Sequence, residues 1–494
     1  MSALDPITLE VMLGSLRAAC DEMGAVLVRS AHSANIKERR DASTALFDPD
    51  GQMVMQAEHI PVHLGAMPAA VAAVLDEEQR PGESWILNDP YEGGTHLPDI
   101  TVITPLFHAG EPAGFAASRA HHADVGAEEP GSMPAFSRTL ADEGVVIPPT
   151  RLTDEVLREL TTRMRNPRQR EADLRAQLAA GRAGGERVAA LIERFGIDTF
   201  HAGLRETLDY AERRTRARLA KLEEGSYEAT DVLEGAEADL ELKVKARVQG
   251  DHLELDFSGS ADQHDGNLNC PLAVTLSACY FALRVLTDPD VPPCAGAYRP
   301  LTVIAREGSL LNARPPAAVA AGNVETSSRV ADLVLAAFGH ALGQGTMNNV
   351  TLGNDDFTYY ETLGGGQGAC PDADGPSAVH VAMSNTLNTP IEALELEFPL
   401  RAVEYSLRRG SGGAGHQRGG DGVVRELEAL AGMRYSLITE RRRHAAAGAH
   451  EGENGTPGKN LLNGEELAAK ASGTLQPGDR LRIETPGGGG YGER

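Results

Sequence analysis

The sequence predicts a mixed α/β fold made of several domains. Its 494 residues exceed what one simple core usually supports. Apolar residues recur at helical spacing in some segments and alternate with polar residues in others. We therefore expect a helix-and-hairpin N-terminal region that holds a metal site, a charged helical region, a mixed α/β domain and a Gly-rich β region. Their expected bounds are residues 1–150, 151–224, 225–397 and 398–494.

The chain opens with an amphipathic helix and a hairpin. Asp5 followed by Pro6 is typical of a helix N-terminus, and apolar residues then recur at helical spacing to about Ala31. Residues 44–56 are predicted to form two short strands joined by a Pro-Asp-Gly turn. Acids and imidazoles lie at the open end of this hairpin, namely Asp41, Glu58, His59 and, just beyond, His63.

A second hairpin brings a carboxylate and an imidazole together. Two apolar runs flank a turn-rich segment at residues 108–114. Folding the chain about this segment sets Asp99 opposite residues 121–123, and directly opposed Cβ atoms are about 4.5–5.5 Å apart. Adjacent residues of a strand point to opposite faces, so only one of His121 and His122 faces the same side as Asp99.

The loop before Asp99 adds a third ligand-type side chain, His96. Imidazole and carboxylate without thiolate suit a divalent ion such as Mn, Fe or Zn. Two plainer interpretations stand beside this one. Loop histidines and aspartates are often solvated or bonded to turns, and residues 38–41 can form a solvated charge cluster.

The remaining elements follow from periodicity. Residues 151–224 combine apolar stripes with many charges, which favours packing and interface helices. Further helices are predicted at 61–76, 271–286 and 330–342, strands at 85–87, 227–232, 238–248 and 252–257, and a strand-loop-strand unit at 378–396.

Glycine-rich stretches at residues 364–368, 410–415, 418–422 and 486–490 resemble phosphate-binding loops only superficially. None has the GxxxxGK[ST] pattern, and none opens a helix directly after a strand. Tight turns between strands explain them at least as well. No nucleophile motif is present either. We therefore expect that this protein uses a metal ion for its reaction, or that it acts on a substrate that a partner protein has activated.

Composition excludes several classes of function. A net charge of −25 argues against binding to nucleic acid or anionic membranes. The five cysteines are odd in number, dispersed and without a CxxC pair, which suggests neither a disulfide framework nor a thiolate site. No signal peptide or segment of about 20 apolar residues is evident. We expect a cytoplasmic protein that acts on a small molecule.

Several motifs together resemble the hydantoinase B/oxoprolinase family, which also includes subunits of acetone- and acetophenone-type carboxylases. They occur in the same order over nearly the whole chain. The motifs are DPITLEV from Asp5, ERRDAS from Glu38, NDPY from Asn88, HLPD from His96, AHHAD from Ala120, GNVETS from Gly322, GGG from Gly364, RGSGGAG from Arg409 and TPGGGGYG from Thr485.

The resemblance implies a subunit that pairs with a hydantoinase A-like ATPase in a hetero-oligomer. ATP would be used by that partner, which phosphorylates the substrate. Carried onto this sequence, the metal ligands would be Asp41, His96, Asp99 and His121. His122 or Asp124 would move a proton as general base or acid, or orient a ligand imidazole. Arg40 and Asn88 are assigned to substrate binding.

Three functions follow from this resemblance. The first is the B-type subunit of an ATP-dependent hydrolase of cyclic amides, such as hydantoins, 5-oxoproline or related lactams. The second is the metal-containing subunit of an ATP-dependent ketone carboxylase. The third is a non-catalytic scaffold for an ATPase, in which the helices of residues 151–224 form the interface and the metal is structural.

Overall fold

A computed structural model describes residues 4–58, 60–236 and 238–494. His59 and the side chain of Glu58, two of the groups expected at the open end of the first hairpin, lie outside this description. The described residues confirm the mixed α/β class, with helices and several sheets along the chain.

The helices in the described part of the chain are α1 Pro6–Ser30, α2 Ala34–Lys37, α3 Ala66–Leu75, α4 Asp154–Thr162, α5 Pro167–Phe195, α6 Ile197–Leu219, α7 Leu272–Leu286, α8 Ala295–Tyr298, α9 Ser327–Ala337 and α10 Ile391–Glu397. Short 3₁₀ turns occur at Pro61–His63 and Leu140–Glu143, and a π-helical turn at Gly322–Thr326.

The strands are β1 Ala42–Phe47, β2 Met53–Glu58, β3 Trp85–Leu87, β4 Asp99–His108, β5 Glu111–His121, β6 Thr150–Arg151, β7 Gly225–Leu233, β8 Leu240–Gln249, β9 His252–Asp256, β10 Leu301–Ile304, β11 Asn349–Gly353, β12 Thr358–Glu361, β13 Leu400–Arg408, β14 Gly422–Ala429, β15 Met433–Ile438, β16 Lys459–Leu462, β17 Glu465–Leu467, β18 Lys470–Leu475 and β19 Arg480–Glu484.

The opening helix is capped as predicted. The Asp5 carboxylate accepts hydrogen bonds from the backbone amides of Ile7 and Thr8 at 3.0 and 3.1 Å, and Pro6 begins the helix. Apolar residues of α1 pack against α5 and against the first sheet, and Met12, Met23 and Ala180 belong to this core. These helices therefore cover the sheet that carries the two N-terminal hairpins.

The first sheet has the strand order β2-β1-β5-β4-β3-β6. The β4–β5 hairpin is in the predicted register, because Asp99 is paired directly with His121. Strand β1 lies antiparallel to β5 on its other side, with Ala42 opposite Ala120. The His121 amide donates to the Asp41 carbonyl at 3.0 Å. The start of β1, the start of β4 and the end of β5 thus meet at one edge of the sheet.

The largest apolar core joins the N-terminal and middle parts of the chain. It contains Phe47 from the first sheet, Leu208 from α6, Leu255 from the sheet β10-β9-β8-β7, Cys279 from α7 and Leu333 from α9. All five cysteines, each within the described residues, are unpaired. Among the helices that the structure describes, none is long and apolar enough to cross a membrane.

The C-terminal sheets draw on both sides of residue 398. The sheet β12-β11-β15-β18 combines strands before and after this residue, and β13-β14-β19-β16-β17 lies wholly after it. The strand-loop-strand unit predicted at residues 378–396 is wrong. Residues 380–390 belong to neither a helix nor a strand, and Pro390 precedes helix α10. The apolar residues near Ile391 alternate, but the segment IEALELE consists mainly of strong helix formers.

Most of the glycine-rich stretches do not form the turns that the sequence suggested, although Gly410, with a φ of 84°, lies in a turn directly after β13. Segments 364–368, 411–415, 418–422, 446–455 and 486–492 instead run side by side as a glycine bundle joined by backbone hydrogen bonds. The four glycines 487–490 lie outside the left-handed region. A Cβ at Gly488 would lie 2.1 Å from the Gln367 carbonyl oxygen, so glycine is required there by close backbone approach.

Candidate functional site

A small cavity of about 20 Å³ lies where the first sheet meets the C-terminal half of the chain. Asp41, His96, Asp99 and His121 line it together, and His63 joins them. The volume is close to what one water molecule requires. The structure therefore brings together the four proposed metal ligands in a space that fits a single small group.

Backbone geometry delivers each of these side chains to the cavity. Asp41 immediately precedes β1, Asp99 begins β4 and His121 ends β5. His96 lies in the loop before β4, where the Asp99 amide donates to the His96 carbonyl at 3.1 Å. His63 ends the 3₁₀ turn Pro61–His63 after the first hairpin. The two hairpins thus share one site at their open ends.

Several buried polar atoms in the cavity lining have no hydrogen-bond partner. They are Nε2 of His63, both ring nitrogens of His96, Oδ1 of Asp99 and Nε2 of His121. The Nε2 atoms of His96 and His63 lie 3.2 and 3.4 Å from Oδ2 of Asp99. Since a buried polar atom without a partner costs free energy, this concentration marks a place where a bound group would supply the partners of these protein atoms.

Neighbouring residues orient the other atoms of these groups. Thr95 Oγ1 donates to Oδ2 of Asp99 at 2.6 Å. Nδ1 of His63 lies 2.9 Å from Ser43 Oγ, and Nδ1 of His121 lies 3.2 Å from Asn35 Nδ2. These contacts leave the Nε2 atoms of both imidazoles directed to the cavity.

The surroundings of the two carboxylates shift their pKa values in opposite directions. Burial raises the pKa of Asp41 to about 6, with Arg39 acting in the opposite direction. Burial also opposes ionisation of Asp99, but His96 and His63 hold the pKa of Asp99 well below its usual value. Burial lowers the pKa of His121 far below its usual range. The site thus combines an ionised carboxylate with a neutral imidazole, and both are forms that bind metals.

Among the residues that the structure describes, no group of three or more His, Cys, Asp or Glu side chains has the arrangement of a metal-binding cluster. The donor chemistry fits a divalent ion, because nitrogen and oxygen atoms without partners face one cavity.

Other residues that line the cavity come from distant parts of the sequence. Tyr360 stacks on His121 with ring centroids 4.5 Å apart and an interplanar angle of 8°. Asn323, from the π-helical turn, also lines the cavity, and its Oδ1 has no partner. Three hydroxyl side chains complete this part of the lining: Thr362, Ser384 and Thr386. Spacing could not have revealed them, although Asn323 lies in the GNVETS motif.

The structure places His122 and Asp124 away from the cavity. His122 faces the other side of the strand, where its Nε2 lies 2.9 Å from Gln177 Oε1. The carboxylate of Asp124 accepts from the backbone amides of Gly126 and Gly131 at 2.7 and 2.9 Å. It also pairs with Arg165 at 3.0 Å. Both residues make structural contacts instead of lining the cavity.

The two proposed substrate-binding residues also lie outside the cavity lining. Arg40 is exposed and has a φ of 54°. Asn88 is buried, and its side chain donates to the carbonyls of Leu97 and Val145 and accepts from the Ile147 amide. Asn88 therefore anchors the loop that carries His96.

Comparisons with known proteins agree over nearly the whole chain. The family model described as hydantoinase B/oxoprolinase matches residues 5–494. The 5-oxoprolinase of Dictyostelium discoideum is 38% identical over 512 residues, an alignment that covers 99% of this chain and 40% of that protein. The chain thus spans about two fifths of the length of this relative.

Two solved structures share the fold. The ATP-dependent caprolactamase from Pseudomonas jessenii superposes with a TM-score of 0.93 at 30% identity, covering 100% of this chain and 92% of that chain. An acetone carboxylase in its nucleotide-free form superposes with a TM-score of 0.90 at 18% identity, covering 99% of this chain and 76% of that chain.

Proposed function

Because the chain belongs to the hydantoinase B/oxoprolinase family, as its motifs predicted, we propose that it hydrolyses a cyclic amide after a separate ATPase subunit has phosphorylated it. The reaction would take place at a divalent ion in the cavity lined by His63, His96, Asp99 and His121. The observation that carries this proposal is the set of buried nitrogen and oxygen atoms without partners that face this cavity.

The proposed division of labour follows from the chemistry of amides. A ring amide resists attack by water, whereas phosphorylation of its oxygen creates an electrophilic imidate. Water then adds to the imidate carbon and the C–N bond opens as the nitrogen takes up a proton. A second water converts the resulting acyl phosphate to carboxylate and phosphate. The sequence of this chain has no phosphate-binding loop of its own, which supports ATP use by a partner in a hetero-oligomer.

The proposed metal ligands are Asp41, His96, Asp99 and His121. Mn, Fe or Zn suits this set of nitrogen and oxygen donors. When bound, such an ion would lower the pKa of a water molecule to about 7. As placed, Asn35 Nδ2 donates to Nδ1 of His121, which leaves the proton on Nε2. Rotation of the Asn35 amide by half a turn would let Nδ1 donate instead and free Nε2 for a metal.

We assign the proton transfer to His63 in preference to His122 and Asp124. His63 lines the cavity, and the contact of its Nδ1 with Ser43 keeps Nε2 directed to it. Nε2 would take the proton from the attacking water. His122 and Asp124 are engaged elsewhere by Gln177 and by backbone amides.

Metal analysis tests the first part of the proposal. Wild-type protein should bind one divalent ion, and His96→Ala should lose it. His108→Ala is the matched control, since His108 lies at the far end of β4, the strand that follows the His96 loop. Equal occupancy in both variants would contradict the ligand assignment.

Turnover with the co-purified ATPase subunit tests the second part. ADP release that depends on caprolactam, hydantoin or 5-oxoproline is expected. Release that depends only on a ketone with bicarbonate would instead identify a carboxylase. Full turnover by Asp99→Asn within an intact complex would favour the scaffold.

A further inference from the structure

The hydroxyl wall of the cavity is formed by Thr362, Ser384 and Thr386. The hydroxyls of Thr362 and Thr386 lie 2.6 Å apart. The guanidinium of Arg39 donates through one nitrogen to both of them, at 2.9 and 3.3 Å. Two hydroxyls that accept from a cation, and the third hydroxyl of Ser384, therefore line the same cavity as the proposed metal ligands.

Arg39 is fully buried, and its positive charge has one carboxylate and one aromatic ring beside it, the ring centroid of Tyr360 lying 4.8 Å from the guanidinium carbon. Its nearest carboxylate is that of Asp41, at 3.6 Å. A second nitrogen donates to the Tyr360 carbonyl at 3.2 Å, and Nε has no partner. Since a buried charge is costly unless it is well paired, this guanidinium has capacity for another anion.

Ser384 belongs to the same hydroxyl wall, and its hydroxyl contacts the imidazole of His380. Nδ1 of His380 lies 2.7 Å from Ser384 Oγ, and Nε2 of His380 has no partner. With this contact the serine hydroxyl can donate or accept toward the cavity, whichever tautomer the imidazole adopts.

We propose that the hydroxyl wall, with Arg39 behind it, binds the phosphoryl group of the activated substrate and the phosphate that the reaction releases. Guanidinium and hydroxyl donors suit phosphate oxygens. The inference rests on the proposed function, in which phosphorylation of the substrate precedes hydrolysis. The phosphoryl group would be held by these hydroxyls, and the imidate carbon would lie between them and the proposed metal ligands.

The cavity must open to admit such a group, because about 20 Å³ holds only one water molecule. Ser384 and Thr386 lie in the irregular segment 380–390, which is not held in a sheet or helix. The non-glycine residues Ala378 and Ala382 near its start have φ values of 57° and 50°. Such strained positions are frequent where a segment changes conformation at a functional site. Outward movement of this segment would enlarge the cavity from the phosphate side.

Equilibrium dialysis with inorganic phosphate on the full chain, at constant ionic strength and without the partner, tests the proposal. Wild-type protein should bind one phosphate per chain. Thr386→Val should weaken this binding by about tenfold, because it removes a hydroxyl that faces the ligand. Arg39→Lys should also weaken it, since lysine keeps the charge but loses the fork of donors.

Thr389→Val is the matched control. Thr389 lies in the same segment, its hydroxyl is buried without a partner, and it does not line the cavity. It should bind phosphate like the wild type. No binding to wild-type protein, or equal binding by the Thr386→Val and Thr389→Val variants, would overturn the proposal.

The assay also separates this inference from the proposed function. Phosphate binding that depends on Thr386, together with no turnover of any cyclic amide in the complex, would refute the hydrolase and leave the phosphate site standing. Normal amide turnover with binding insensitive to Thr386 would refute the phosphate site alone.

Discussion

Asp99 and His121 are directly opposed across the β4–β5 hairpin, and both side chains line the same cavity. Their separation is set by the hydrogen bonds between the two strands, so neither depends on a flexible loop for its position. A site built on paired strands holds its geometry better than one built on loops. The remaining cavity groups are then positioned around this pair.

His63 is expected to be required for turnover but not for metal retention. His63→Ala should lower kcat by about 10²- to 10⁴-fold, the range typical of a lost general base. Metal content measured on the same preparation should stay at the wild-type level. Loss of the ion together with activity would instead make His63 a ligand, and unchanged kcat would rule out the base assignment.

Asp124 is expected to matter for folding. Backbone N–H groups of three residues donate to the buried carboxylate of Asp124. In Asp124→Asn, the NH₂ group of the new side chain would replace one of the two accepting oxygens and face some of these donors. The free energy of unfolding of this variant should fall by about 2–4 kcal/mol in urea titrations. Asp21→Asn, an exposed change on α1, should stay within about 0.5 kcal/mol of wild type. A stable Asp124→Asn protein without activity would restore the catalytic role predicted from the sequence.

Glu325 is expected to make stability depend on pH. Burial and the nearby charge of Glu440 raise the pKa of Glu325 to about 8. The native state therefore keeps this proton to a higher pH than the unfolded chain, in which glutamate titrates near pH 4.3. The contribution of Glu325 to the free energy of unfolding is fully present below the pKa of the unfolded state and is lost as pH rises toward 8.

The test of this effect compares Glu325→Gln with wild type in urea unfolding at about pH 5 and about pH 8. The variant should lose less stability between the two conditions, because its side chain has no proton to release. Glu10→Gln, an exposed change on α1, should keep the wild-type dependence. Parallel pH profiles for all three proteins would show that Glu325 is not the responsible group.

Gly488 is expected to tolerate no side chain. A Cβ there would lie 2.1 Å from the carbonyl oxygen and 2.3 Å from the carbonyl carbon of Gln367. Gly488→Ala should therefore reduce the free energy of unfolding by about 3 kcal/mol or more. Gly14→Ala is the control, since its added Cβ in α1 would meet no atom within 4 Å beyond its chain neighbours and the adjacent backbone of its own helix. It should stabilise the protein by up to about 1 kcal/mol, and similar losses in both variants would contradict the packing argument.

Local signals in the sequence predicted the pair that organises the site. The turn-rich segment at residues 108–114 determines the hairpin and hence the pairing of Asp99 with His121. Alternation along the strand required one of the two histidines to face away, and His122 does so. The open end of the first hairpin also pointed to Asp41 and His63, although no role was predicted for His63.

The rest of the site depends on contacts between residues far apart in the chain. Arg39 bonds Thr362 and Thr386 across more than three hundred positions, and no periodicity encodes such a contact. Asn88 and Asp124 have the residue types of functional groups, but most of their partners are backbone amides and carbonyls, several of them distant in the sequence. Residue type alone does not distinguish a side chain that binds a metal or substrate from a buried polar side chain that holds the backbone in place.

The glycine bundle restricts which amino acids the chain can accept. In each of its segments the backbone of a neighbour occupies the space where a side chain would begin, as at Gly412, Gly420 and Gly487. Any amino-acid substitution at these positions would replace a hydrogen with a Cβ that overlaps the neighbouring backbone. In a library of random single substitutions, we expect these stretches to appear as a contiguous block of lost positions, although they contain none of the proposed reacting groups.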